Sequence, residues 1–251
     1  MELKSLKSLY IDVKYNNVIL SSATGFVVRN DHKKFLITNR HVVTGRHNET
    51  NECMSSMGAI PNFLRIVVPI IKKNGTAWTS IEINLYDEEN NKKWIEHPTY
   101  GGDVDVVAIE LHDFEYDSIE YSTYSDGEVT VTDSVYIIGY PYGYSVLPGD
   151  QKVAIWTLGS VASEPELGIN KNYVQLPAFL VDAKTRSGQS GSPVFYHNNN
   201  GFKRSGNGLS VFGGPVSFNV GIYSGRINRD SDLGYVWKWS VIKEIIDTIH
   251  N

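Results

Sequence analysis

The chain has 251 residues, enough for one large domain or two small ones with a sizeable buried core. Hydrophobic residues make up 41% and charged residues 20%, ordinary proportions for a globular protein, and the net charge of -5 leaves no basic footprint for nucleic acid. No apolar run approaches the ~18 residues that a membrane-spanning helix needs.

The opening Met1-Glu2-Leu3-Lys4-Ser5-Leu6 lacks the apolar stretch and small-residue cleavage site of a secretory signal. Cys53 is the single cysteine, so no internal disulfide can form, and a reducing cytoplasm is the expected location. Short β-branched and aromatic runs then predict strands over residues 9–15, 18–29 and 34–38, with Asn30-Asp31 as a turn signal. The third of these runs into Thr38-Asn39-Arg40-His41 and delivers His41 just past a rigid element. Further strands are predicted over 64–71, 80–86 and 104–111. Asp105 opens the last one, ahead of Val106-Val107-Ala108-Ile109, so its carboxylate must find a hydrogen-bond donor. A histidine Nδ1–H is such a donor. Asp103, two residues earlier and on the same predicted face, competes for that role.

Around 113–126 the apolar alternation gives way to Tyr, Ser and acidic residues, a soft boundary between residues 1–120 and 121–251. Beyond it strands are predicted over 128–130, 135–140, 153–162 and 172–181, then 192–196, 209–212, 220–226 and 233–237. Between the fourth and fifth lies Ser187-Gly188-Gln189-Ser190-Gly191-Ser192-Pro193. Acyl transfer by a hydroxyl needs an exposed Oγ and backbone N–H groups aimed at the developing oxyanion, and a tight Gly-x-Ser-Gly turn supplies both. Gly188 and Ser190 are the expected N–H donors. The chain closes on a helix, with Ser240 as the expected N-cap and Ile242, Ile245, Ile246 and Ile249 on one face. Many short strands and one terminal helix indicate an all-β fold of barrel or sandwich type.

Each of the three segments alone fits a blander reading, but their order His41, Asp105, Ser190 does not. An α/β-hydrolase would run Ser, Asp, His with Gly two positions after the nucleophile, where this chain has Ser192.

The ordered set resembles the trypsin-like, chymotrypsin-fold serine peptidases, particularly the intracellular bacterial branch without disulfides, and more distantly the HtrA/DegP-type proteases. The segments that carry the resemblance begin with Ala23-Thr24-Gly25-Phe26, Leu36-Ile37-Thr38-Asn39-Arg40-His41 and Asp105-Val106-Val107-Ala108-Ile109. Ile137-Ile138-Gly139-Tyr140-Pro141, Phe179-Leu180-Val181-Asp182-Ala183, Gly188-Gln189-Ser190-Gly191-Ser192 and Gly234-Tyr235-Val236-Trp237 complete them. The resemblance implies two packed six-stranded antiparallel β-barrels with a C-terminal α-helix. It also implies a serine endopeptidase acting on protein or peptide substrates through a His41–Asp105–Ser190 triad and a Gly188/Ser190 oxyanion hole, with no cofactor, metal, nucleic acid or membrane. A regulatory partner or fused sensor module is a family variant. A catalytically silent domain of the same fold, serving as a binding scaffold, is the alternative.

Two departures stand out. Gln189 replaces the Asp that digestive trypsins pair with a new N-terminus, and no activation site precedes the first barrel. Trypsin's pocket acid lies six positions before the nucleophile, where this chain has Lys184, while Asp182 matches the HtrA-type Asp-Ala stretch. The pocket is expected from Asp182, Lys184, Thr185, Tyr223, Ser224 and Gly225; Lys184 or Arg186 would either favour an acidic side chain there or be a solvated loop charge. His47, His97 and His112 show no metal-ligand spacing and are expected at the surface.

Overall fold

The computed structural model describes residues 1–116, 119–124, 126–205 and 208–249; positions 117, 118 and 125 of the expected boundary segment lie outside them. After a short helix α1 (Lys4–Lys7), the first sheet takes β1 (Ser8–Tyr15), β2 (Val18–Asn30), β3 (Lys33–Thr38), β4 (Phe63–Lys72) and β5 (Gly75–Asn84), with α2 (Arg40–Thr44) after β3. It is completed by β6 (Trp94–Ile95), β7 (Val107–Glu110) and β8 (Glu120–Ser122). Its order is β5-β4-β1-β2-β3-β7-β6, with β8 parallel to β2.

The later chain supplies β9 (Ser134–Gly139), β10 (Ile155–Val161), β11 (Ile169–Lys171), β12 (Val174–Leu176), β13 (Ala178–Ala183) and β14 (Pro193–Asn198). Then come β15 (Phe202–Ser205), β16 (Gly208–Val211), β17 (Val216–Arg226), β18 (Leu233–Lys238) and α3 (Trp239–Asp247). Six of these close a barrel in the order β10-β13-β18-β17-β14-β9. The expected chymotrypsin-like architecture is therefore present. Among the described residues the first unit differs in detail, being an eight-stranded sheet where six strands were expected.

Strand alternation explains why both units are buried on two faces. In β3, Leu36 enters the core of the first sheet, whereas Phe35 and Ile37 enter a layer between the units; in β9, Val135 and Ile137 fill the barrel while Ile138 joins that same layer. The α3 residues Val241, Ile242, Ile245 and Ile246 complete it, each fully buried. At ~1.5–3 kcal/mol per buried aliphatic side chain, these contacts hold the two units against each other.

Some predicted boundaries moved for identifiable reasons. Residues 172–181 do not form one strand: Asn172 and Tyr173 take positive φ to turn the β11–β12 hairpin, and Pro177, which has no N–H to donate, separates β12 from β13. Residues 128–130 form no strand, and β6 and β8 are too short to leave a periodic signature. Helix α3 begins at Trp239, one residue before the expected Ser240 cap, with Lys238 in the cap position and no side-chain cap hydrogen bond. Trp239 Nε1 donates instead to the Thr123 carbonyl at 2.9 Å, anchoring the helix start. Among the described residues no helix is long and apolar enough to cross a membrane.

Candidate active site

β3 ends at Thr38, and the extended Asn39 leads into the single turn of α2, which carries His41. Gly45, at φ 62°, ends that turn in the left-handed conformation. His41 Nδ1 lies 2.6 Å from Asp105 Oδ2, and the His41 backbone N–H donates to Asp105 Oδ1 at 2.9 Å. Asp105 is only 3% exposed, and Ser224 Oγ adds a third hydrogen bond by donating to Oδ2. Asn39, fully buried, donates Nδ2 to the Asp105 carbonyl at 2.7 Å and so fixes the main chain of the same residue. A carboxylate only accepts, so this geometry puts the imidazole proton on Nδ1 and leaves Nε2 as an acceptor.

Asp103 has a different environment. It is exposed, and its Oδ1 pairs with Lys171 Nζ at 3.1 Å. The expected shared strand face does not exist, because β7 starts only at Val107 and both aspartates precede it in a turn and loop.

The loop carrying Ser190 is bound to the first sheet. Thr24 Oγ1 donates to the Gly188 carbonyl at 2.8 Å, the Thr24 N–H donates to the Ser190 carbonyl at 2.9 Å, and Thr38 Oγ1 holds the Thr24 carbonyl at 2.9 Å. Gly188 (φ 92°) and Gly191 (φ 85°) take backbone angles open to glycine. A Cβ on Gly188 would meet the Tyr140 carbonyl at 2.3 Å, and one on Gly191 the Thr24 carbonyl at 2.0 Å. The N–H groups of Gly188 and Ser190 donate to no acceptor among the described residues, unlike those of Gln189, Gly191 and Ser192. Two unengaged donors in one turn are what an anion hole requires. Gln189 between them is fully buried: its Oε1 accepts the Arg186 N–H at 2.8 Å and its Nε2 donates to Thr157 Oγ1 at 2.9 Å. Ser190 Oγ donates to the Ser224 carbonyl at 3.0 Å and not to His41.

Three depressions meet at Ser190. One of about 250 Å³ is bounded by Thr185, Arg186, Tyr223, Gly225 and Arg226. A second, of about 240 Å³, runs past His41 to Leu20, Val42, Met54 and Pro61. A smaller one of about 200 Å³ spans His41, Asp105, Ser190 and Ser224. Thr185 and Tyr223 share a hydrogen bond in the first wall, and burial pushes the Tyr223 phenol up to about 12.

Three expected pocket residues lie outside the Thr185 cavity. Asp182 and Lys184 are exposed while Val181, Ala183 and Thr185 are buried, because the alternation of β13 continues past its end and turns every second side chain outward. Ser224 lines the depression over the Asp105–His41 pair rather than the Thr185 cavity. His97, expected at the surface, is 2% exposed beside Glu244 of α3. The contacts of Thr24, Thr38, Ser224 and Gln189 were not foreseen. The Gly-x-Ser-Gly and Thr-x-x-His segments marked where such supports were needed, but not which residues would reach them.

Residues 23–201 match the family model described as trypsin-like peptidase domain. The chain belongs to this peptidase family. No curated protein matches it closely enough to be counted a relative. Among solved structures it is similar to the MamO protease domain of Magnetospirillum magneticum, at 12% identity over 96% of both chains with a TM-score of 0.56. It is also similar to the active form of the Rv3671c protease from M. tuberculosis, at 16% identity over 98% of this chain and 82% of that one, TM-score 0.52. A third is the serine endoprotease of Yersinia pestis, at 12% identity over 99% of this chain and 66% of that one, TM-score 0.51. At these identities the likeness concerns the fold, which HtrA-type serine proteases share with this chain.

Proposed function

We propose that the chain is a serine endopeptidase that cleaves peptide bonds in protein or peptide substrates, with Ser190 as nucleophile, His41 as general base then acid, and Asp105 as the residue that orients His41. The observation that carries this reading is the buried Asp105 carboxylate, which receives both His41 N–H groups and leaves Nε2 free in the depression that also holds Ser190. Ser190 Oγ attacks the substrate carbonyl carbon as its proton passes to His41 Nε2. The carbonyl oxygen, now an oxyanion, takes the free N–H groups of Gly188 and Ser190. Collapse breaks the C–N bond, His41 returns the proton to the leaving amine, and the acyl group stays on Ser190. Water, deprotonated by His41, then attacks the ester and releases the acid and the serine. The expected setting is the bacterial cytoplasm.

Gln189 supports activity without N-terminal processing, since its hydrogen bonds already hold the loop that digestive trypsins order with a new N-terminus. The bond from Ser190 Oγ to the Ser224 carbonyl favours a regulated variant of the same reading, in which a substrate or partner turns the hydroxyl toward His41. A fluorophosphonate probe tests the proposal. Wild-type protein is labelled and Ser190→Ala is not, with labelling increasing on addition of a partner if the variant holds. Absence of labelling with and without cell extract would favour the silent scaffold.

A further inference from the structure

The cavity beside Ser190 carries charge that the rest of the molecule does not predict. The chain is acidic overall, yet the ionisable side chains on this cavity are Arg186, Arg226, Arg229, His47 and the un-ionised Tyr223, with no Asp or Glu among the lining residues. The three arginines arrive from two separate segments. Arg186 precedes Ser190 in its own loop, Arg226 ends β17 two residues after Ser224, and Arg229 follows in the loop toward β18. Neither Arg226 nor Arg229 has an ion pair among the described residues, and Arg186 Nη1 is engaged only by the neutral Thr185 carbonyl at 2.7 Å. Asp232 is near enough to act on Tyr223 but does not line the cavity. Lys184, at the position of trypsin's pocket acid, is exposed and does not line the cavity.

We infer that this cavity receives an acidic side chain, so that the peptidase cleaves on the carboxyl side of Glu or Asp, with Arg226 as the principal determinant and Arg186 and Arg229 in support. This rests on the peptidase reading above. Guanidinium groups present paired N–H donors that match a carboxylate in geometry and charge. A cleft lined by one sign of charge also concentrates substrates of the opposite sign. Thr185 and Asn228 add neutral polar groups to the same walls, beside the apolar Ile227 and the Tyr223 ring. A basic side chain would meet three unneutralised arginines and is rejected.

The test uses a set of peptides identical except for Glu, Gln, Asp, Asn, Lys or Phe at the residue before the scissile bond. Wild-type protein is expected to favour Glu over Gln by at least tenfold in kcat/KM, equivalent to about 1.4 kcal/mol. The Arg226→Ala protein reduces that Glu-to-Gln ratio by at least tenfold, and Arg226→Glu shifts preference toward Lys. Arg229→Gln, a change at an exposed position, reduces the ratio by a smaller factor and serves if the Arg226 proteins fold poorly. Preference for Lys or Phe in the wild type overturns the inference, as does a Glu-to-Gln ratio unmoved by all three substitutions. Fluorophosphonate labelling of Ser190 is measured on the same samples. Labelled protein without acidic preference refutes this inference alone, whereas unlabelled protein that cleaves nothing refutes the peptidase reading and this inference with it.

Discussion

On the proposed triad, Asp105→Asn and Asp103→Asn are expected to differ sharply, because the two carboxylates have different hydrogen-bond partners. Asp105 Oδ1 accepts the His41 backbone N–H, and Oδ2 accepts both His41 Nδ1–H and Ser224 Oγ–H. An Asn can put its NH₂ at only one of these positions. At the Oδ1 position it would face a backbone N–H that cannot turn away. At the Oδ2 position it faces a hydroxyl that can rotate and an imidazole that can move its proton to Nε2. The second arrangement is favoured, and it costs His41 the free acceptor that takes the serine proton. Loss of the correct tautomer in a triad lowers turnover by roughly 10⁴-fold. The fold survives at a cost of about 1–3 kcal/mol for imperfectly paired buried groups. The control is Asp103→Asn, which removes only the partly exposed pair with Lys171, worth about 0–1 kcal/mol. The assay is hydrolysis of a good peptide substrate alongside urea denaturation of each protein. A crippled Asp103→Asn beside an active Asp105→Asn would refute the argument.

Three further outcomes follow from buried polar groups outside the reacting centre. Gln189→Ala strands the Arg186 N–H and Thr157 hydroxyl and is expected to destabilise by about 1–3 kcal/mol in urea. Because the intact Gln189 already holds the loop, a short N-terminal extension leaves Ser190 labelling unchanged; activity gained only on removing the extension would contradict this. His97 is 2% exposed, its Nδ1 accepts the amides of Thr99 and Tyr100, and its Nε2 lies 3.0 Å from Glu244 Oε2. Burial lowers its pKa from 6.5 despite the opposing pull of Glu244. Its folded form thus stays neutral where the unfolded chain takes up a proton, and this contribution to stability is present above about pH 6.5 and lost as the pH falls below it. The slope is at most about 1.4 kcal/mol per pH unit. Urea midpoints from pH 7.5 to 5.5 fall less steeply for His97→Gln than for the wild type, and equal slopes would rule the mechanism out.

Local chemistry in the sequence was sufficient for the β-rich class, for α3 and for the segments that deliver His41 and Ser190. Those features are written in neighbouring residues: alternation along β3 and β9, the isoleucines of α3, and a Gly-x-Ser-Gly turn whose positive φ at Gly188 and Gly191 only glycine takes easily. The outward turn of Asp182 and Lys184 is legible too, since both fall on the exposed phase of the β13 alternation. What the tertiary structure alone decided depends on residues far apart in the chain. Ser224 reaches Asp105 across 119 positions and Thr24 reaches Gly188 across 164, and no periodicity encodes such meetings. The pairing of His41 with Asp105 and of Asp103 with Lys171 is of the same kind, because it depends on where β7 begins relative to α2. So is the cationic cavity, in which Arg186, Arg226 and Arg229 combine only after the barrel closes and brings the Ser190 loop against the end of β17. Hydrogen bonds and charge pairs act over a few ångströms of space, and closing the barrel and packing it on the first sheet convert sequence separation into that distance.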